Sequence, residues 1–266
     1  MDNFQFLKAE DKGNGIFNIQ LDRPPANAVH RDMYIEIREM FRAVDHRPEV
    51  RAVILSASGK HFCAGNDLDE FGTMTPENGT ERMWRVREAF FAIAECAVPV
   101  IGAVHGVALG TGLAIAGSCD FVVAVKDSRF GLPELTVGVM GGARHLARIA
   151  PQPVVRRMYF TGEQVSGEEL ARMGGAIFVC DKEELMDTAI GFAARIAHHS
   201  PTAVRVSKRI LDRIEWMDLR IGYEFEQGGT VRMSGHPDSK EALRAFAERR
   251  EPNYEALSAD KRWFGV

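Results

Sequence analysis

The sequence is poor in cysteine, with four residues, at positions 63, 96, 119 and 180. No two of them have C-x-x-C spacing, and their density is far below that of a disulfide-stabilised scaffold. A disulfide framework is therefore excluded, and we expect reduced thiols in a cytoplasmic protein. Residues 1–20 are acidic and alternate polar with apolar side chains, a pattern that predicts no signal or transit peptide.

An excess of positive charge is also lacking. The chain has 33 Lys and Arg and 37 Asp and Glu, which gives a net charge of −4 and a pI near 6.1. This balance argues against a general nucleic-acid or membrane-surface binder. An anionic small molecule would need a locally basic site. Arg23, Lys60 and the segment 244–264 supply candidate cations, and the sequence does not decide among them.

Long apolar runs are nearly absent. The only stretch without Asp, Glu, Lys or Arg that approaches the length of a membrane span runs from Pro99 to Cys119. It contains a proline, five glycines and His105, which we interpret as a core histidine. No second such run exists, so a buried strand, turn and helix is the better interpretation.

Several catalytic motifs are missing as well. The chain has no G-x-S-x-G, no H-E-x-x-H and no G-x-x-x-x-G-K-[ST], so the common serine-hydrolase, zinc-protease and P-loop classes lose their usual signature. The stretch GTGLAIAG begins like a dinucleotide-binding loop but lacks the third glycine. The sequence also predicts no metal site.

What the sequence does contain is alternating strand and helix patterns. Residues 14–21 alternate like a strand and end at two prolines, and residues 31–46 carry an apolar stripe with helical spacing. The β-branched runs at 50–58, 99–109 and 121–125 are typical of strands buried on both faces, with helical patterns at 80–96 and 112–118 between them. This order predicts βαβ units and an α/β fold.

The pattern changes after residue 150. Ser166 stands three residues before Glu169, as in a helix capping box, and two amphipathic helices meet at Ser200-Pro201. We therefore predict a β/α core over residues 1–195 and an all-helical region over residues 196–266.

Two glycine-containing turns follow predicted strands, KHFCAGNDLDEF at 60–71 and ALGTGLAIAG at 108–117. Backbone N–H groups that converge from two such turns can form an oxyanion hole, a pair of donors that stabilises an enolate or tetrahedral oxyanion. The alternative is that these glycines only permit close packing, and spacing alone leaves both interpretations open.

Five segments, in order along nearly the whole chain, resemble the signatures of the crotonase (enoyl-CoA hydratase/isomerase) superfamily. They are RPPANAV, HFCAGNDLDEF, PVIGAVHGVALGTGLAIAGSCDFVVA, SRFGLPELTVGV and SPTAVRVSKRIL. The resemblance implies a spiral of ββα units with a C-terminal helical trimerisation region, and a homotrimer or dimer of trimers. It also implies an acyl-CoA thioester substrate and no metal or redox cofactor.

The resemblance further assigns residues. The oxyanion donors would be the amides of Ala64 and Thr111. Further contacts to CoA would come from Ala64, Gly65, Asn66, Asp67 and Leu68, and from Gly110 in the second turn. The segment from Ala26 to Ala28 would touch the nucleotide end of CoA. For Asp67, Asp69 and Glu70 a second interpretation stays open, that they complement a helix dipole.

Hydratases of this superfamily carry two catalytic glutamates. Here the first position is Ala114, and the second is kept as Glu134 in GLPEL. One carboxylate can still shuttle a proton between two carbons of an acyl chain. The missing glutamate therefore favours a double-bond isomerase in which Glu134 is the acid/base. Its apolar neighbours, Phe130, Leu132, Leu135 and Val137, should raise its pKa.

Three alternatives remain from the sequence. In a 2-enoyl-CoA hydratase, His145 would be the candidate second acid/base, because the segment after Glu134 is short and brings Arg144 and His145 close to it. The other interpretation of Arg144 and His145 is that they are exposed basic residues in the first turn of a helix and take no part in catalysis. Ring hydrolysis or C–C cleavage through a CoA enolate is the second alternative, and a non-catalytic acyl-CoA-binding subunit is the third.

Overall fold

The computed structural model describes residues 4–254. Within this range the strands are β1 (Leu7–Asp11), β2 (Ile16–Leu21), β3 (Ala52–Ala57), β4 (Val100–Val104), β5 (Val107–Leu109), β6 (Phe121–Val125), β7 (Arg129–Gly131), β8 (Gln164–Ser166) and β9 (Ile177–Cys180). The helices of the first half are α1 (Arg31–Asp45), α2 (Leu68–Phe71), α3 (Pro76–Ala94), α4 (Thr111–Ser118), α5 (Ala143–Ile149) and α6 (Gln152–Thr161). They are followed by α7 (Gly167–Arg172), α8 (Leu185–Ala197), α9 (Pro201–Ile214), α10 (Leu219–Ser234) and α11 (Pro237–Glu248).

The strands form two sheets. The larger has the order β1-β2-β3-β4-β6-β9 and is parallel except for the β1–β2 pair. The smaller has the order β5-β7-β8, with β5 parallel to β7 and β8 antiparallel to it. Connections between parallel strands run through helices, as the alternating sequence pattern predicts.

Both faces of the large sheet are buried, because the central strands send apolar side chains to two separate clusters. In β3, Val53 and Leu55 join the cluster covered by α1 and α3, while Ala52 and Ile54 join the cluster covered by α8. This accounts for the continuous apolar run in the sequence at that strand.

The helical tail is attached to the core by buried cations on α9. Arg205 donates to the carbonyl oxygens of Arg47 and Val50, at 2.8 and 3.1 Å. Lys208 is buried between Asp120 and Asp212, with its Nζ 3.1 and 2.6 Å from their carboxylate oxygens, and donates to the carbonyl of Ala94. These contacts fix the direction in which the tail leaves the core.

The predicted α/β core with a helical tail is confirmed as far as residue 254, and residues 255–266 of the predicted tail lie outside the described residues. The run at 99–109 is two strands rather than one, because Gly106 (φ +61°) turns the chain between β4 and β5. The predicted division at residue 195/196 falls inside α8, which packs on the large sheet, and it stays a prediction. Among the described helices, none is both long and apolar enough to cross a membrane.

Candidate active site

A cavity of about 530 Å³ lies where three chain segments end side by side. β5 pairs with β7, with Leu109 opposite Gly131, so the residues that follow these parallel strands meet at one edge. The turn after β3 joins them through a bridge between Cys63 and Ala108. The lining includes ten of the eleven residues predicted to contact or act on the substrate, all but His145. The ten are Ala26, Ala28, Ala64, Gly65, Asn66, Asp67, Leu68, Gly110, Thr111 and Glu134.

The first turn is held by a short ladder to residues 26–29. Ala64 N donates to the carbonyl of Ala26, Val29 N donates to Gly65, and Asp67 N donates to Val29, each at 2.9 Å. The amide of Ala64 is therefore engaged within the chain. That of Asn66 points away from the ladder, and no acceptor for it occurs in residues 4–254.

This arrangement corrects the predicted pair of donors. With its hydrogen bonded to Ala26, the Ala64 amide is not available to a substrate oxygen in this structure. Asn66, two residues further on, presents the available amide of this turn. Sequence reasoning placed Asn66 at the site but missed the ladder that separates its amide from that of Ala64.

The second turn presents the start of α4. Thr111 is its first residue, and the first N–H groups of a helix have no acceptor within the helix. The following Gly112 packs so tightly that a Cβ there would come within 2.1 Å of the carbonyl oxygen of Cys63. Leu109 N also donates to that oxygen, at 3.0 Å. The two turns are thus in direct backbone contact, and the assignment of the Thr111 amide as an oxyanion donor stays a prediction.

A tyrosine that the sequence reasoning missed lies behind both turns. The hydroxyl of Tyr34, on α1, is 2.6 Å from Asn66 Oδ1 and 3.0 Å from Thr111 Oγ1. Its ring is buried and packs edge-on against Phe90. Tyr34 adjoins the apolar stripe of α1, three residues before Ile37, so helical spacing places it inside but does not reveal the polar partners.

Glu134 follows β7 and begins a short 3₁₀ helix over residues 134–137. It is half-buried, and Oε2 has no hydrogen-bond partner in the described chain. Burial raises the pKa of this carboxyl above its ordinary value. Phe130 and Leu132 beneath it are buried, whereas Leu135 and Val137 face solvent. The raised pKa predicted for Glu134 is confirmed in direction, though only half of its expected apolar neighbours are buried.

His145 does not line this cavity. It lies on α5 against the ring of Phe90, 5.0 Å between centroids, and lines a second cavity of about 730 Å³ with Arg144 and Trp216. Burial, with Arg148 and Arg144 nearby, lowers the pKa of His145 to about 4. The structure therefore holds a neutral imidazole in a separate cavity and does not bring it to Glu134.

Asp67 is engaged by its own surroundings. Its carboxylate accepts from the amide of Glu70 at the start of α2 and pairs with Arg23 at 2.7 Å, and these contacts lower its pKa. This supports the helix-capping interpretation of Asp67. It also means that Arg23 already has an anionic partner. Among the described residues, no cluster of three His, Cys, Asp or Glu could hold a metal ion.

The sequence of this chain is also similar to those of known proteins. The sequence model of the family described as "Enoyl-CoA hydratase/isomerase" matches residues 11–257. The chain belongs to the enoyl-CoA hydratase/isomerase family. Membership of the crotonase superfamily, predicted from five segments, is thereby confirmed, and so is an enzyme class that acts on acyl-CoA.

Individual members of the family differ in the reaction that their names state. A (7aS)-7a-methyl-1,5-dioxo-2,3,5,6,7,7a-hexahydro-1H-indene-carboxyl-CoA hydrolase of Rhodococcus jostii is 34% identical, over 90% of this chain and 93% of its own. A short-chain-enoyl-CoA hydratase of Clostridium acetobutylicum is 32% identical, over 91% of this chain and 94% of its own.

Solved structures of the family share the fold. An enoyl-CoA hydratase of Mycobacterium smegmatis superposes with a TM-score of 0.90 at 29% identity, over 94% of this chain and 99% of that one. One from Bacillus anthracis gives 0.89 at 28% identity, over 95% and 100%. The crotonase-like architecture is therefore confirmed along nearly the whole chain, including its helical tail.

Proposed function

We propose that this enzyme moves a double bond within an enoyl-CoA thioester, with Glu134 as its proton carrier. The observation that carries the proposal is the position of that carboxylate. It is half-buried in the cavity, has an oxygen with no partner among residues 4–254, and lies beside the turns that present the Asn66 and Thr111 amides.

The reaction would begin with the thioester oxygen on those two amides. Glu134 then removes a proton from C2 of a 3-enoyl-CoA, and the electron pair of that C–H bond moves into a dienolate whose negative charge rests on the oxygen. The protonated Glu134 returns the proton to C4, and the double bond ends between C2 and C3. A raised carboxyl pKa suits both halves of this cycle, because the group must accept a proton and then release it.

The other carboxylates at the cavity are poor candidates for a second acid. Asp67 is held by Arg23 and by the amide of Glu70, and Asp69 is an exposed residue in the first turn of α2. Ala114, where a hydratase would carry glutamate, is 2% exposed and does not line the cavity. A single proton carrier supports isomerisation over hydration, in which water must also be activated and oriented.

A second candidate is hydrolysis of a C–C bond in a β-dicarbonyl acyl-CoA. It is favoured by relatives at 34% and 35% identity that are named hydrolases of a dioxo-indene-carboxyl-CoA. In this reaction Glu134 would deprotonate water, whose oxygen bonds to the ketone carbon. The C–C electron pair would become the thioester enolate, and Glu134 would return the proton to its α-carbon. The same oxyanion amides serve both candidates.

One assay separates these reactions. Purified protein is given trans-3-hexenoyl-CoA, crotonyl-CoA and 2-oxocyclohexanecarboxyl-CoA, with Glu134→Gln and the surface variant Glu168→Gln beside it. We expect the conjugated-thioester absorbance to rise from the first substrate and crotonyl-CoA to stay unhydrated. Glu134→Gln should abolish this turnover and spare ligand binding, and Glu168→Gln should change neither.

Other results would redirect the assignment. Fast loss of crotonyl-CoA absorbance would make the enzyme a hydratase, and a ring-opened product heavier by one water would make it a C–C hydrolase. Binding of all three thioesters without turnover would make the protein a non-catalytic acyl-CoA-binding subunit.

We also propose that the helical tail assembles the chain into a homotrimer or a dimer of trimers. Large apolar side chains on α10 and α11 support this, since Leu219 is 89% and Phe246 85% exposed in the single chain. Light scattering coupled to size-exclusion chromatography tests it, and a monomeric mass would contradict it.

A further inference from the structure

We propose that Tyr34 is a positioning residue that sets the two oxyanion amides relative to one another. This inference rests on the proposed use of the Asn66 and Thr111 amides to bind a thioester oxygen. Tyr34 lines no part of the 530 Å³ cavity and is assigned no chemical step. Its effect is transmitted through the side chains of the two residues that carry the donors.

The hydrogen bonds give this contact a direction. A carboxamide oxygen can only accept, so the Tyr34 hydroxyl donates to Asn66 Oδ1, at 2.6 Å. The phenol oxygen then accepts from the hydroxyl of Thr111, at 3.0 Å. A single hydroxyl thus joins the turn at 63–67 to the first residue of α4. It does so at the two residues to which the oxyanion donors are assigned, and neither of their amides has an acceptor in the described chain.

The hydrogen bonds of the Tyr34 hydroxyl have a fixed position because the residue itself is held in place by its helix and by ring packing. Tyr34 lies in the first turn of α1, whose N-terminal residue Arg31 donates its amide to the carboxylate of Glu70. Its ring packs edge-on against Phe90 of α3, 6.1 Å between centroids. Burial raises the pKa of the phenol well above its ordinary value, so it remains a neutral donor over any working pH.

The other contacts between the two turns lie elsewhere. Cys63 N donates to Val107 and Leu109 N donates to Cys63, both at 3.0 Å. These bonds, with the packing of Gly112 on the Cys63 carbonyl, hold the turns together at Cys63, three residues before Asn66. The Tyr34 hydroxyl is the side-chain link between Asn66 and Thr111 themselves. A phenylalanine could fill the same space but could not make either bond.

The test uses Tyr34→Phe, with Glu168→Gln as control because Glu168 is exposed on α7, away from the cavity and from the helical tail. Two readouts are taken: kcat and KM on the substrate that the wild type turns over, and the near-ultraviolet absorbance of bound acetoacetyl-CoA, which reports the fraction present as enolate. We expect Tyr34→Phe to lower kcat by about 10- to 100-fold with KM within about twofold, because a misplaced donor weakens transition-state contacts. The enolate fraction should fall in parallel, and Glu168→Gln should match the wild type.

A double-mutant cycle with Thr111→Val asks whether Tyr34 acts through its partner. Thr111→Val removes the side-chain hydroxyl and keeps the backbone N–H. The double variant should lose no more activity than the more damaged single variant, since both break one network. Strictly additive losses would overturn the proposal, as would an unchanged enolate fraction in Tyr34→Phe. Thermal melts of every variant separate these effects from simple unfolding.

The enolate readout also separates this inference from the proposed reaction. If no enoyl-CoA is isomerised but Tyr34→Phe still loses enolate, the proposed reaction fails and the role of Tyr34 stands. If isomerisation is found and Tyr34→Phe is as active as the wild type, the proposed reaction stands and the role of Tyr34 fails.

Discussion

The carboxylate of Glu134 lies directly against Gly110, so closely that a Cβ on Gly110 would come within 3.0 Å of Glu134 Oε1. The next residue in the chain is Thr111, whose amide starts α4. The base and one oxyanion donor are therefore neighbours because two parallel strands, β5 and β7, end at the same edge of their sheet. The pairing of Leu109 with Gly131 fixes this proximity.

We expect Gly110→Ala to lower activity strongly. Gly110 has φ +52°, a conformation that an alanine adopts with strain of about 1–3 kcal/mol, and the new methyl group would press on the Glu134 carboxylate. A tenfold or greater loss of kcat should follow, on the order of that seen when catalytic groups are displaced. Gly191→Ala on the exposed face of α8 is the control. It has open space and an ordinary φ, so it should leave activity unchanged and raise stability by about 0.5–1 kcal/mol. A fully active Gly110→Ala would show that the contact with Glu134 does not matter.

The pH dependence of the reaction should follow the raised pKa of Glu134. The base must be ionised in the free enzyme, so kcat/KM should fall as the pH drops through a pKa above that of an ordinary glutamate. We would measure kcat/KM from pH 4 to 9, using a buffer series of constant ionic strength. A descent only below about pH 4, where ordinary carboxylates titrate, would contradict the burial argument.

The free energy of unfolding should depend on pH in the opposite sense to kcat/KM, because a raised carboxyl pKa stabilises the folded protein at low pH. A carboxyl whose pKa is higher in the folded than in the unfolded state binds more protons when folded, so the free energy of unfolding falls as pH rises between the two pKa values. Glu134→Gln removes this titration. Its stability relative to the wild type should therefore increase as pH rises from about 4 through the folded pKa, and then stay level. Urea denaturation at several pH values measures the free energy of unfolding of both proteins. If the stability of Glu134→Gln relative to the wild type decreased as pH rose, the argument from the raised pKa would be contradicted.

How much of this site the sequence could predict depends on the range of the interactions. The lining was predictable through the family resemblance, which assigned its residues, whereas the glycine turns after buried strands were by themselves compatible with close packing alone. The choice between the Ala64 and Asn66 amides was not, since it depends on pairing between residues 26–29 and 64–67. Nearness in sequence also misled for His145, which follows Glu134 by one loop yet faces Phe90 in another cavity. Tyr34 was hidden next to an apolar stripe because its partners come from other segments.

Removing the buried cation of the tail should destabilise the fold. Lys208→Met leaves the carboxylates of Asp120 and Asp212 without their shared ammonium, and breaking a buried pair in this way costs about 3–5 kcal/mol. Burial already raises the pKa of Asp212 to about 6 in spite of Lys208. The deficit should therefore be largest above pH 6 and shrink at lower pH, where Asp212 takes up a proton. Chemical denaturation at pH 5 and pH 8 checks this. Lys240→Met, at an exposed position on α11, should change stability by no more than about 0.5 kcal/mol.

Replacing single backbone amides by esters will distinguish Asn66 from Ala64 as the donor of the first turn. An α-hydroxy acid with the same side chain exchanges one N–H for oxygen and keeps the shape of the chain. An ester at Asn66 or at Thr111 should lower kcat by about 100- to 1000-fold, as loss of one oxyanion donor does. An ester at Ala64 removes the bond to the Ala26 carbonyl, so it should cost about 1 kcal/mol of stability and leave kcat within a few fold.

An ester at Gly112, the second residue of α4, controls for the weakened carbonyl that every such replacement creates. If the ester at Ala64 abolished turnover while the one at Asn66 did not, the ladder between residues 26–29 and 64–67 would have to open when substrate binds.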